Sequence, residues 1–239
     1  MDGIRRNMED LIVLYEDNHV IVVVKPQNVP SQADISGDLD MLTMVKNYIG
    51  EKYNKTGNVF IGLVHRLDRP TGGVMVFART SKAAARLSEQ IKNGELEKKY
   101  LAVVNNKLRD KRGRLVNYLV KDEENNIVKV VPAAIEGAKK AVLDYVTLES
   151  SVNASLVDVK LLTGRGHQIR AQMSANGCPI FGDSKYGDTH KCRLALWSYS
   201  LKFLHPTTKQ IMTFKVFPPE ALPWKEFAIE KYINVVKPE

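Results

Sequence analysis

Four stretches of this 239-residue sequence carry residue types and spacings that could do chemistry. The first is His65-Arg66-Leu67-Asp68-Arg69-Pro70-Thr71-Gly72-Gly73, in which Asp68 has His65, Arg66 and Arg69 within four positions. Opposite charge nearby lowers a carboxylate's pKa and keeps it ionised. An ionised, rigidly held Asp has no proton to give, so it suits a nucleophile or an electrostatic stabiliser and not a general acid. The same pattern also fits an Asp that closes a turn beside solvated arginines. The second stretch is Thr163-Gly164-Arg165-Gly166-His167-Gln168-Ile169-Arg170. Two glycines let the backbone approach a ligand, and the loop opens a helix whose N-terminus favours an anion. Arg165, a planar fork, fits a phosphate cradle, the partner of a buried carboxylate, or an arginine closing a turn. The Lys-Ser/Thr of a P-loop is missing, which argues against nucleotide hydrolysis. The third is Tyr100, which follows Lys98 and Lys99 and could stack on a base, exchange a proton, or simply fill the core. The fourth is residues 107–114, five of which are basic: Lys107, Arg109, Lys111, Arg112 and Arg114. They suit phosphate contacts or a solvated connection.

The elements that must position these groups can be read from the pattern. Apolar runs at 11–15 and 20–24, separated by Glu16-Asp17-Asn18-His19, predict a hairpin. A Pro-fixed loop, 25–30, follows, and the spacing over 41–53 predicts a helix. Runs at 59–64 and 74–78 predict strands on either side of the Asp68 stretch, whose Pro, Thr and glycines are turn chemistry. Thr80 or Ser81 should cap a helix with Ala84, Leu87 and Ile91 on its inner face and Gly94 at its end. Strands are expected at 98–104, 115–120, 127–131, 141–148 and 156–162, with residues 107–114 as a connection. A short helix over 167–176, strands around Trp197–Phe203 and 211–217, and a closing helix over 224–233 complete the reading. The expected class is α+β: a large, mostly antiparallel mixed sheet with a few packed helices. Residues 1–10 read as a flexible lead-in and 11–239 as one domain.

Composition narrows the function classes. Hydrophobic content of 44% and charged content of 26% suit a globular chain with a sizeable core. A net charge of +8 and a pI near 9.3 favour a polyanionic partner, nucleic acid above all. Two cysteines, Cys178 and Cys192, form no disulfide framework and no CxxC, which predicts free thiols in a reducing, cytoplasmic setting. No apolar run approaches the ~20 residues of a membrane span, and no signal peptide is recognisable. No metal-ligand spacing is present.

Taken together, these stretches resemble one family. His65 to Gly73 is similar to the catalytic signature of RluA-type RNA pseudouridine synthases, His-Arg-Leu-Asp-x-x-Thr-Ser-Gly. Lys99-Tyr100-Leu-Ala-Val resembles that family's second motif, Leu162 to Arg170 its third, and Gly182-Asp-Ser-Lys-Tyr186-Gly the segment that follows. The resemblance runs from about 11 to 217. Gly72 stands where the family usually has Ser, and Gly166 where it often has Thr. The small S4-type RNA-binding module that many relatives carry has no room before residue 11.

The resemblance implies a pseudouridine synthase catalytic fold and isomerisation of uridine to pseudouridine within rRNA or tRNA. It implies Asp68 as the catalytic carboxylate, Arg165 as the cation paired with it, and Tyr100 packed on the uracil. Arg66 would fill the space left by the flipped base or hold the flipped nucleotide. His65, Arg69, Gln168 and Arg170 join it as expected RNA-binding or motif-supporting residues, with Lys107, Arg109, Lys111, Arg112 and Arg114 on the backbone. No metal, no cofactor and no obligate protein partner is implied, and a monomer is expected. Two other readings compete. An RNA-binding or RNA-folding protein without catalysis would be expected to lack Asp68, Tyr100 or Arg165, and all three are present. A hydrolase releasing uracil would need a second carboxylate, for which Asp183 and Asp144 are the candidates.

Overall fold

The computed structural model describes residues 11–234; the lead-in read at 1–10 lies outside them. The described residues form two compact units, the first from 11–96 and 202–214, the second from 97–201 and 215–234. Eleven strands and three α-helices make the class α+β among these residues.

The first unit opens on the antiparallel hairpin of β1 (Ile12–Glu16) and β2 (Val20–Lys25). Asp17 fixes its turn, its carboxylate accepting the His19 and Val20 N–H groups at 2.8 Å each. Helix α1 (Met41–Lys52) starts where the Asp40 side chain accepts the Thr43 N–H, and it buries Met41, Met44, Val45 and Ile49. Those positions recur at the helical spacing that places them on one face. The next strand, β3 (Gly62–Leu63), is far shorter than the run at 59–64 suggests. Its ladder with β4 (Gly72–Ala78) pairs Gly62 with Ala78 and Leu63 with Phe77. One step further, the Val76 N–H donates instead to the His65 ring, Nε2, at 3.1 Å. A side chain thus takes the hydrogen bond a longer strand would have made. β4 is buried along its whole length and pairs with β2 from Val20–Ala78 to Lys25–Gly73. Helix α2 (Ser81–Asn93) is capped by Thr80 and ended by Gly94 at φ +73°. Its inner face is Ala83, Leu87 and Gln90, a small rotation from the expected Ala84, Leu87 and Ile91. The rotation has a polar cause. The Gln90 amide donates to the Leu204 carbonyl and accepts its N–H, both at 2.8 Å.

The second unit holds the antiparallel strands β5 (Glu97–Asn105), β6 (Arg112–Asp122), β7 (Ile127–Val131), β8 (Lys139–Ser150) and β9 (Ala154–Leu161). Their order is β5-β9-β8-β6-β7. Helix α3 (Gln168–Ala175) follows; β10 (Leu196–Leu204) runs from this unit into the first, and β11 (Ile211–Lys215) pairs with it. Two expectations change here. Arg112 and Arg114 are not on a connection: they open β6, opposite Val146 and Asp144. Gly113 between them lies against the Tyr145 ring, where an added Cβ would come within 2.8 Å of its hydroxyl, and Arg114 grips Asp144 with two bonds of 2.6 and 2.9 Å. Residues 224–233 are not one helix but two 3-10 turns, Trp224–Glu226 and Ile229–Lys231. Phe227 between them is extended, and the Ala228 N–H, needed inside a helix, donates to the Glu149 carboxylate at 3.2 Å.

Asp158 on β9 gives a pH test of the second unit. Its carboxylate accepts from the Tyr199 hydroxyl at 3.1 Å and faces the Lys99 ammonium at 3.8 Å. Burial raises its pKa, and Lys99 and Tyr199 offset only part of that. The folded state therefore holds this proton to higher pH than the unfolded chain does. The wild type should lose stability as pH rises from the ordinary carboxylate value through the raised one. Asp158→Asn should abolish that loss, so melting curves of the two proteins should diverge in the variant's favour above the window and converge below it.

Candidate active site

In the first unit, the Asp68 segment is a turn whose carbonyls are all engaged. The Thr71 N–H donates to the Asp68 carbonyl at 2.9 Å, closing a four-residue turn around Arg69 and Pro70. The remaining carbonyls are taken by the loop that leaves β2. The Ser31 hydroxyl donates to the Leu67 carbonyl at 2.8 Å and accepts the Leu67 N–H at 3.1 Å. The Asn28 N–H donates to the Arg69 carbonyl at 2.8 Å, and Gln27 Nε2 donates to that of Pro70 at 3.1 Å. Lys25, with no exposed surface, donates from Nζ to Arg69 O at 3.0 Å, Thr71 O at 2.7 Å and its neighbour Pro26 O at 3.0 Å. Every carbonyl from Leu67 to Thr71 thus has a donor, two of them a charged one, which makes the stronger bond. The backbone carrying Asp68 is held from both sides of its Cα.

The side chains of this turn face different surroundings. Leu67 is buried and Asp68 half-buried, whereas Arg66 is exposed. His65 is buried and serves β4 as described. The Arg69 guanidinium is held by the loop before α1: it donates to Ser36 Oγ at 2.8 Å, bonds Asp38, and lies 3.6 Å from Asp34. Gly72 and Gly73 are buried at the start of β4, with Gly73 at φ +124°, a backbone only glycine adopts freely.

The second unit holds the other candidates. Tyr100 is buried on β5, paired with Val159. In the 163–170 segment the two arginines differ. Arg165 is exposed, its Nε donating to the Lys140 carbonyl at 3.1 Å. Arg170 is 4% exposed and grips the buried Asp183 with two bonds of 2.7 Å, its guanidinium 4.9 Å from the Tyr186 ring centre. Gln168 is buried and internal: its Oε1 accepts from Thr163 Oγ1 at 2.7 Å and the Arg165 N–H at 3.0 Å, and its Nε2 donates to Val142 O at 3.1 Å. The amide thus occupies the turn that a phosphate cradle would leave to its ligand. An added Cβ at Gly166 would meet nothing within 4 Å, so the residue missing there relative to the family pattern leaves the loop's packing unchanged. His167 starts α3 at φ +49°, and its Nδ1 is hydrogen-bonded to the Tyr186 hydroxyl at 2.9 Å, while that oxygen accepts the Val128 N–H at 2.8 Å.

Of the basic group, Lys107, Arg109, Lys111 and Arg112 are exposed, and Arg114 is committed to Asp144. Among the described residues no three His, Cys, Asp or Glu side chains sit together as a metal-ligand set, and no helix is long and apolar enough to cross a membrane. Lys25, Gln27 and Ser31 escaped the sequence reading. The signal available was polar residues at alternate positions in a Pro-bounded loop, which does not by itself say what they bind.

Residues 19–175 match the RNA pseudouridylate synthase family. An uncharacterized RNA pseudouridine synthase of Bacillus subtilis is 36% identical over 88% of this chain and 73% of its own length. The tRNA pseudouridine synthase C of Haemophilus influenzae is 32% identical over 85% of this chain and 91% of its own. The ribosomal large subunit pseudouridine synthase D of Borreliella burgdorferi is 31% identical over 84% of this chain, which spans 64% of that relative. In solved structures the fold recurs in human RNA pseudouridylate synthase domain containing 4, with a TM-score of 0.76 at 22% identity over 87% of this chain and 89% of that one. The fold and sequence together define an isomerase acting on RNA. The chain belongs to the RNA pseudouridylate synthase family.

Lys25→Met should leave three buried carbonyls without their charged donor, at a cost of about 3 kcal/mol or more. A drop in melting temperature of roughly 10 °C is expected, together with loss of turnover. A variant that melts with the wild type would show that the Lys25 clamp does not hold the turn.

Proposed function

We propose that this chain isomerises a specific uridine to pseudouridine in structured rRNA or tRNA, with Asp68 as the essential carboxylate. The observation that carries the reading is the clamped turn: the family's signature Asp sits on a backbone whose every flanking carbonyl is bonded. Such preorganisation suits a group that must act on a sugar or base without moving. The reaction breaks the N1–C1′ bond, turns the uracil, joins C5 to C1′, and releases the C5 proton while N1 takes up a proton. Tyr100 packs on the uracil and assists removal of that proton. The target base leaves its stack at a cost of a few kcal/mol. The exposed Arg66 fills the gap or holds the flipped nucleotide. Lys107, Arg109, Lys111 and Arg112 follow the RNA backbone. His65 and Gln168 support their motifs from within. Residues 11–239 act as one catalytic domain, monomeric and cytoplasmic.

The family resemblance gives Arg165 the role of the balancing cation. A second reading gives it to Arg170, five residues on in the same motif. Arg170 is favoured by burial, because a desolvated guanidinium acts through a lower dielectric than the exposed Arg165 does. Arg170 then serves catalysis and Arg165 contacts RNA.

Pseudouridine mapping in rRNA and tRNA transcripts incubated with the protein tests the assignment. Asp68→Asn should lower single-turnover rate by more than about 100-fold with RNA binding intact, as expected for loss of an essential group. Residual turnover above that level would remove Asp68 from the chemistry. The two arginines separate in pH–rate profiles. The variant lacking the balancing cation should move its acidic limb to higher pH. Arg165→Met should leave the limb in place and weaken binding, and Arg170→Met should shift it, with a melting curve confirming that the variant is folded.

A further inference from the structure

The Lys98 side chain lies beside Tyr100 and takes no part in the bonds that hold its own strand's neighbours. It stands two residues before Tyr100 on β5, and side chains two apart share one face of a strand. Its Nζ lies 3.3 Å from where a Cβ at Gly164 would sit, so the ammonium packs directly over the first glycine of the 163–170 segment. A side chain at 164 would crowd that ammonium. Its neighbours on β5 are committed elsewhere: Lys99 faces Asp158, and Glu97 pairs with Lys160. Among the described residues no carboxylate and no carbonyl accepts from the Lys98 ammonium, and burial alone lowers its pKa. A cation that is partly desolvated and without a counter-charge gains most from an incoming anion.

The geometry points to Lys98 as a phosphate-binding residue: its ammonium takes a non-bridging oxygen of the RNA backbone at the nucleotide whose base packs on Tyr100. The spacing fits this. Residues two apart on a strand are about 6.6 Å apart, comparable to the reach from a pyrimidine ring to its own nucleotide's phosphate. Lys98 would then fix the nucleotide by its phosphate while Tyr100 holds its base. Glycine at 164 leaves the ammonium its place without displacement, since a Cβ there would sit 3.3 Å from Nζ. The inference rests on the isomerase reading above and adds to it a positioning contact.

The test uses a stem-loop RNA carrying the uridine that the mapping experiment identifies. Modification of that stem-loop by the wild-type protein confirms the isomerase reading whatever Lys98 does, and absence of modification refutes that reading before any variant is made. The phosphates around the target are then replaced, one at a time, by neutral methylphosphonates. In the wild type, replacement of the contacted phosphate should weaken binding about tenfold, the scale of one charged hydrogen bond. Lys98→Met should bind the unmodified RNA more weakly by the same factor. It should flatten the slope of log K against log salt by about 0.7–0.9, and it should lose nothing further from the methylphosphonate at that one position. Lys98→Arg, which keeps the charge, should regain the sensitivity. If the variant and substrate penalties multiply at every phosphate, Lys98 touches none of them and the proposal is overturned. A Lys98→Met protein that binds with an unchanged salt slope overturns it equally.

Discussion

The arrangement around Asp68 depends on a buried ammonium. Lys25 has no exposed surface, and its ammonium donates to the carbonyls of Pro26, Arg69 and Thr71. A desolvated lysine is costly unless its donors are satisfied. Here three carbonyls satisfy them, and all three belong to segments that must stay in register. The strand that ends at Lys25 and the turn that precedes β4 are thereby tied together, and β2–β4 pairing at Lys25–Gly73 continues the tie into the sheet. Ser31 and Gln27 extend the same logic to Leu67 and Pro70. The Asp is positioned by backbone bonds from a loop more than thirty residues earlier in the chain, as the sequence separations of 36 to 46 show.

The second unit solves a similar problem with an amide and an ion pair. Gln168 closes the turn at Thr163 and Arg165, and Val142 on β8 anchors it. Two turns of α3 are buried nearly all round, from Gln168 to Met173. A short helix with so little exposed surface cannot rely on an amphipathic stripe; its polar residues must find partners inside, and Arg170 with Asp183 and Gln172 with Asn117 do so. Replacing one partner of the Arg170–Asp183 pair would strand a buried charge. This explains why residues that look like surface RNA contacts in the sequence turn out to be internal.

Much of the fold was legible from pattern alone. The strands β2 and β4 announced themselves through continuous runs of Val, Ile, Met and Phe, the mark of strands buried on both faces. α1 followed from spacing alone, and α2 from spacing and from caps at Thr80 and Gly94; the Asp40 cap of α1 was not read. What stayed hidden were substitutions of side chains for backbone. Nothing in the run 59–64 says that the His65 ring will take the Val76 N–H and stop β3, and nothing in residues 224–233 says that Glu149 will take the Ala228 N–H and break the helix. The site was legible in the same uneven way. Charge crowding drew attention to Asp68, and two glycines marked the 163–170 loop. Spacing gave no means of ranking Arg165 against Arg170, because burial is set by what α3 packs on and not by the local motif.

Rearrangement of uridine within RNA and its hydrolysis leave different marks on the base. Joining C5 to C1′ must expel the hydrogen on C5, whereas releasing uracil leaves it in place. The direct measurement is tritium release from rRNA and tRNA transcripts labelled at C5 of uridine. An isomerase puts tritium into solvent in a one-to-one ratio with pseudouridine in the digested RNA, with no free uracil. Labelled uracil released with its tritium retained would show hydrolysis in place of isomerisation.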